Sequence, residues 1–256
     1  MSGHRMLVFA GRFALFVVIC VGAELGVRYR ILSPLFFSSP SEIFAVFKAQ
    51  LDGGTLLSDI GITVFETLLG LISGSLLGMA LGLLLPQMRV VSQVIEPFLM
   101  TLNGIPVIVI APLFVLWLGI GIFSKIGISV YIVFFAMFIP VYTGSLRLER
   151  ELVDALHVMG ATRAQIFWKV VVPSSLPSVY TGLKIGAGLA LIGAVIGEFV
   201  ASRSGLGHMI LYASGTLDTP TLYLGIIVLA LFAVALSSVI NALGPVLVRW
   251  RFADEK

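Results

Sequence analysis

DALHVMGATRAQIFWKVVVP, residues 154–173, is the stretch on which the fold turns. It is a polar interruption in a chain too apolar for water. Of 256 residues, 59% are hydrophobic and 11% charged, against about 25% charged in a soluble domain. The stretch divides at Gly160. Upstream, Leu152, Ala155, Leu156 and Met159 recur at i, i+3, i+4 and i+7, one apolar helical face. Glu149, Glu151 and Asp154 lie toward the N-terminal half, where they favour the helix dipole. Gly160 can take the left-handed conformation that ends a helix. Ala161 leads to Thr162, an N-cap, with Gln165 three residues on as in a capping box. Ile166, Phe167, Val170 and Val171 then share one side, and Pro173 and Pro177 punctuate the run into the next apolar segment. The spacing predicts helix, tight turn, helix. An interfacial anchor would need no tight turn, whereas a rigid knob seated in a partner's groove would. Both readings stay open on these residues alone.

Outward from this elbow, the chain reads as all-α and polytopic. Six apolar runs approach the roughly 20 residues that a bilayer demands: about 6–27, 60–85, 98–123, 126–146, 178–200 and 222–248. The first could instead be a signal peptide, since Arg5 and Arg12 accompany an apolar core and Val21-Gly22-Ala23 loosely resembles a cleavage site. Its run is long for that purpose, and it is expected to be a span. With the N-terminus inside, eleven Lys/Arg fall on the inner side and five on the outer. The positive-inside rule therefore puts both termini and the elbow (149–173) in the cytoplasm. No second domain is expected in 1–256.

Several features within the spans invite a role. Gly70, Gly74, Gly78 and Gly82 form a smooth stripe in the second span, repeated by Gly182, Gly186, Ala190 and Ala194 in the fifth. Such stripes let helices approach closely, either within one subunit or at a surface used in transport. Asn103, Pro106 and Pro112 mark the third span. Broken membrane helices tend to line cavities, so Asn103 and Pro106 are candidates for a pathway, the alternative being a polar helix end near water. Two acids lie within spans, Glu66 and Glu198. Either both reach interfacial water, or Glu198 joins an outer gate while Glu66 pairs with a cation. Segments 28–59 and 204–218 carry short amphipathic helices on the expected outer side.

Other classes are disfavoured. His4, His157 and His208 fall on both sides of the membrane, so no metal site or catalytic triad is expected. The net charge is +3 without a basic patch interleaved with aromatics, which excludes nucleic acid. Cys20 is alone and forms no internal disulfide. No Gly-x-x-x-x-Gly-Lys-Ser/Thr loop is present, so ATP cannot be held in the usual way. Inverted repeats typical of self-powered transporters are absent. A non-transporting scaffold subunit remains as an alternative.

The elbow resembles the cytoplasmic signature of ABC importer permeases: Glu-Ala-Ala, three residues, Gly, nine residues, Ile-x-Leu-Pro. Asp154-Ala155-Leu156, Gly160 and Val170-Val171-Val172-Pro173 keep that spacing, with Asp for Glu, Leu for Ala and Val for Ile and Leu. IPVIVIAPLFVLWLGIG (105–121), FIPVYTGSLR (138–147), TGLKIGAGLALIGAVIGEF (181–199) and SGLGHMI (204–210) are similar to the nitrate/sulfonate/taurine/bicarbonate permease group, which includes pyrimidine-precursor importers. The resemblance implies a six-helix type I permease bundle in a bacterial inner membrane. It makes Leu152, Asp154, Ala155, Leu156, Met159, Gly160, Ala161, Phe167 and Pro173 the contact to a cytoplasmic ATPase. It implies two ATP-binding subunits that hold ATP and Mg, a second permease copy giving a homodimer, and an extracytoplasmic binding protein. No cofactor is then expected in this chain. The implied substrate is a small anion such as a sulfonate, taurine, nitrate or bicarbonate, with a pyrimidine or thiamine precursor as the alternative.

Overall fold

The computed structural model describes residues 2–147, 155–156 and 158–247, and every regular element among them is helical. In chain order these are α1 (Ser2–Arg28), α2 (Pro40–Asp52), α3 (Thr55–Leu84), α4 (Arg89–Asn103), α5 (Val107–Leu118), α6 (Ile122–Leu146), α7 (Arg163–Ile166), α8 (Val172–Ala201), α9 (Leu206–Gly215) and α10 (Thr219–Leu247). A 3-10 turn succeeds α3, and a π turn (Phe167–Val171) joins α7 to α8. Helices over Met6–Arg28, Thr55–Gln87, Ile122–Leu146, Arg163–Ala201 and Thr219–Pro245 are long and apolar enough to cross a bilayer. The chain forms two units. One holds Met1–Ile62 and Ser204–Ala230, the other Thr63–Arg203 and Leu231–Lys256.

The first unit closes on Leu56, Leu206 and Met209, with Phe47, Ile60, Val228 and Leu229 around them. Its α2 starts as the sequence asks. Ser39 Oγ accepts from Glu42 N at 3.3 Å, and Glu42 Oε2 accepts from Ser39 N at 3.1 Å, a complete capping box. Glu24 ties α1 to this point by accepting from the Ser41 amide and hydroxyl at 3.0 and 2.7 Å.

The second unit is organised around α6. Val133, Phe138 and Val141 of this helix have no exposed surface. The glycines of α3 face it one by one. A Cβ on Gly70 would strike Ser129; on Gly74 it would meet Val133 Cβ at 2.7 Å; on Gly78, the Phe134 carbonyl at 2.5 Å; on Gly82, Val141 Cβ at 2.9 Å. Both helices advance by four residues per contact and in the same direction, so α3 and α6 are parallel. On α8 the matches run backwards. Gly182 meets Met137, Gly193 meets the Ser129 Cα at 2.6 Å, and Gly197 meets the Lys125 Cα at 2.8 Å. Thus α8 is antiparallel to α6. Ser129 Oγ donates to the Ala190 carbonyl at 3.0 Å, a bond that only such close backbones permit.

The parallel pair has a topological consequence. The end of α3 and the start of α6 lie at opposite ends of the bundle, so the chain between them must travel its length. It does so in α4 and α5, bent by 102° relative to each other. The apolar run predicts a single span over about 98–123. Instead α4 starts at Arg89 and stops at Asn103, and Pro106 caps α5. The reason is local. Proline has no N–H to continue the ladder, and it drives the preceding residue, Ile105, out of the helical region. Tyr131 and Tyr142 of α6 hold α4 in place. Tyr131 Oη donates to the Leu102 carbonyl at 2.5 Å, and Tyr142 Oη to Glu96 at 2.7 Å.

Two alanine substitutions separate contact from composition. Gly78→Ala drives a methyl into backbone and should cost about 1–3 kcal/mol of stability, as overpacking does. Gly186→Ala meets its nearest atom at 3.5 Å, an ordinary contact, and also removes glycine's helix penalty of roughly 1 kcal/mol. Thermal unfolding in detergent should show a clear loss for Gly78→Ala and none for Gly186→Ala.

Candidate functional site

The elbow has the turn that its residues call for. The Met159 amide donates to the Ala155 carbonyl and the Ala161 amide to the Leu156 carbonyl, both at 3.0 Å. The second bond spans five residues and closes a Schellman end around Gly160, whose φ is +85°. Thr162 then caps α7. Its Oγ1 accepts from Gln165 N at 3.3 Å, and Gln165 Oε1 accepts from Thr162 N at 2.8 Å. Leu152 and Asp154 lie outside the described residues, as does His157.

The apolar ridge splits in two. Ile166 and Val171 are buried with Leu83, Met137, Val141 and Val179, and Leu156, Ala161 and Phe167 pack against that cluster. These side chains seat the elbow on its own bundle. Val158, Met159 and Trp168 point away from it, 90%, 82% and 68% exposed. Of the ridge Leu156, Met159 and Phe167, only Met159 faces outward. Val158 and Trp168 escape a periodicity argument, because each lies off the i, i+3, i+4 face. Large exposed apolar groups beside a buried apolar seat are the signal that identifies them.

The join to α8 is a π turn, in which the Val172 amide reaches back five residues to the Phe167 carbonyl. Pro173 accounts for it. The carbonyl four residues upstream, on Lys169, gets no N–H from proline and would clash with its ring. A wider turn relieves both problems, and π turns of this kind recur at functional sites. Ser174 Oγ donates to the Val170 carbonyl at 2.6 Å, so that acceptor stays satisfied.

The other sequence candidates fall in two different settings. Asn103 and Pro106 are exposed on either side of the α4–α5 break. Glu198 has no exposed surface and sits at the far end of α8 from the elbow. Thr63 Oγ1 donates to it at 2.6 Å. Glu66 is equally enclosed and forms an ion pair with Lys125, whose Nζ also donates to Ser202 Oγ at 3.1 Å. Neither acid reaches interfacial water. Glu66 does pair with a cation, one that the charge count over loops assigns to the outer side. The α3–α6 register explains the match. Four residues before Gly70 and Ser129 stand Glu66 and Lys125. Removing one partner of such a buried pair typically costs about 3–5 kcal/mol, because the other charge is left alone in an apolar interior.

Residues 74–252 match the family described as binding-protein-dependent transport system inner membrane component. The chain belongs to this family. It is a membrane-integral permease subunit of an ABC importer. Over 92% of its length it is 33% identical to the formylaminopyrimidine transport permease protein ThiX of Halalkalibacterium halodurans, covering 94% of that protein. It is 29% identical to the taurine transport system permease protein TauC of Escherichia coli, over 86% of this chain and 82% of that one. The fold is that of the permease in the inward-facing MetNI methionine ABC transporter, with a TM-score of 0.61 over 75% of this chain and 98% of that chain at 21% identity.

Nothing lies within 4 Å of a Cβ placed on Gly160, so a substitution there meets only backbone strain. An L-residue in the left-handed region costs about 1–2 kcal/mol, with Asn the better tolerated. Gly160→Asn should keep substrate-stimulated ATP hydrolysis of the reconstituted transporter, whereas Gly160→Val should lose most of it at equal membrane levels. Equal activities in that assay would mean that the turn geometry is irrelevant to transport.

Proposed function

We propose that this permease couples a separate ATPase to an alternating-access pathway through the elbow at 155–173. The observation that carries the reading is the exposed trio Val158, Met159 and Trp168, standing on a buried apolar seat beside a glycine-dependent turn. An anchor lying on a membrane surface needs neither the seat nor the turn. A knob that must hold its shape while a partner pushes on it needs both. The same reading extends the ATPase contact to Ala155 and, by the sequence motif alone, to Leu152 and Asp154.

Two ATP-binding subunits hold ATP and Mg, and this chain holds no cofactor of its own. Two copies of the permease enclose the pathway, which the broken span α4–α5 lines with Asn103 and Pro106. ATP binding draws the two elbows together and opens the cavity outward to an extracytoplasmic binding protein. Hydrolysis resets it. Ligands on opposite faces thus bias one two-state equilibrium. Both termini lie in the cytoplasm of a bacterial cell.

The substrate in this reading is a small anionic solute of the sulfonate class, supported by the similarity to a taurine permease. A pyrimidine precursor is the second reading, favoured by the 33% identity to a formylaminopyrimidine permease. Competition of taurine and a formylaminopyrimidine for uptake by the reconstituted transporter decides between them.

Orientation is testable without a substrate. In a Cys20→Ser background, Thr162→Cys should react with a membrane-impermeant maleimide only in inverted vesicles. Ser41→Cys and Ser214→Cys should react only in intact spheroplasts. Labelling of Thr162→Cys from outside would rule out an ATPase contact at the elbow.

A further inference from the structure

The coupling reading leaves unused a charge on α8 that lies inside the bundle, Lys184. The contacts of its neighbours fix its depth. A Cβ on Gly144, near the end of α6, would strike Ser178 of α8. Lys184 is six residues further along, about 9 Å deeper at 1.5 Å per residue. Gly182 and Gly186 bracket it and face Met137 and Val133, close to the middle of α6. The same contacts fix its direction. Two residues from Gly186 on a helix, Lys184 projects about 160° away from α6. Tyr180 packs on Gly244 of α10, and Ala187 is buried with Leu236 and Ile240. These mark the side that meets α10, and Lys184 stands past its edge. It is exposed, and among the described residues it has no hydrogen-bond or ion-pair partner.

Two surroundings account for an exposed charge at such a depth. One is lipid, with the ammonium snorkelling to the membrane surface. The other is a water-filled pathway. The residues one turn away decide between them. Arg12 of α1 lies six residues into its own apolar span, and its neighbours Val8, Phe9, Leu15 and Phe16 are all exposed. That apolar coat is what lipid asks of a helix. The corresponding neighbours of Lys184 are Tyr180, Thr181, Ala187 and Gly188. The first and third serve the α10 side. Thr181 and Gly188 are exposed, and nothing lies within 4 Å of a Cβ placed on Gly188. The exposed Ile185 points about 100° away. The ammonium therefore stands beside a hydroxyl and a notch, without an apolar coat. An ammonium only donates hydrogen bonds. Thr181 Oγ1 already donates to the Pro177 carbonyl at 2.9 Å, which leaves Lys184 as the donor for a ligand on this face. The complement of a lone donor cation is an anion.

We infer that Lys184 is an anion contact on the α8 wall of the translocation pathway, a site for a small oxyanion such as a sulfonate. The inference rests on the anionic-solute reading given under the proposed function, and it adds α8 to the broken span α4–α5 as a lining element. The positive charge at Lys184 then serves selectivity, beyond its part in setting topology.

The test uses the complete transporter in lipid nanodiscs, where both faces are accessible, with Thr181→Cys in a Cys20→Ser background. Two methanethiosulfonates of similar size, one carrying a sulfonate and one a trimethylammonium group, are compared by their rates of reaction. With Lys184 present the anionic reagent should be favoured about tenfold, the low end of the enrichment that a charged cleft produces. Lys184→Arg should keep that preference and Lys184→Gln should lose it. In proteoliposomes, Lys184→Gln should raise the KM for taurine uptake about tenfold, with the Arg variant near the unmodified protein. No reaction with either reagent places this face on lipid, or on lipid phosphate, and overturns the inference. A preference that survives Lys184→Gln, or a taurine KM unchanged by it, overturns the inference and leaves the sulfonate reading standing. A preference that depends on Lys184, in a transporter that does not take up taurine, removes the sulfonate reading and supports the anion contact.

Discussion

The structure depends on how closely α6 is approached from two sides. Between membrane helices there is no hydrophobic gain in contact, since lipid is as apolar as leucine, and association rests on van der Waals fit. Here that fit is made by deleting side chains. Four glycines on α3, and Gly182, Gly193 and Gly197 on α8, bring backbone against Ser129, Val133, Met137 and Val141. Because the α3 contacts recur every fourth residue and the α8 glycines meet Met137, Ser129 and Lys125 in reverse order, the three helices are locked in register over several turns. This register sets the relative direction of all three, and with it the need for α4–α5 to return the chain across the bundle.

The same register governs both ends of the bundle. At one end it lines up Glu66 with Lys125 and brings Gly197, and hence Glu198, beside them. At the other it leaves Leu83, Met137 and Val141 as the seat for Ile166 and Val171. The glycine contacts thus make the middle of the bundle stiff. The polar cluster and the elbow are its two extremities. A permease needs this distribution of stiffness, since a displacement at one end is useful only if the middle does not absorb it.

Much of this is legible in the residues. Apolar runs locate the spans, and local chemistry predicts the glycine turn and the capping box, because both are decided by neighbours in sequence. The outward face of the elbow is not legible. A helical period shows that Leu156 and Met159 share one face and Ile166 and Phe167 another, but which of them meets the bundle depends on where Leu83 and Val179 stand. The break at Gly104–Pro106 reads in sequence as a broken span, but its 102° turn does not, since counting apolar residues carries no information about direction. Lys125 reads as a loop residue because it borders its span by one position. Its burial is set by a register with Glu66 that involves two helices and shows in neither one alone.

Helix α1 shows the opposite kind of specification. No part of its apolar window, within Met6–Arg28, is buried in the protein, and Phe9, Phe13, Phe16 and Ile19 all stand exposed. Among the described residues, its last turns meet the rest of the protein through Glu24, Gly26 and Val27. Lipid reads a helix by its summed transfer energy, and a sum does not depend on the order of its terms. Up to the approach of Glu24, α1 is therefore degenerate under permutation. A great many sequences of the same composition encode it equally well, whereas moving Gly78 of α3 by one position would destroy the contact it makes.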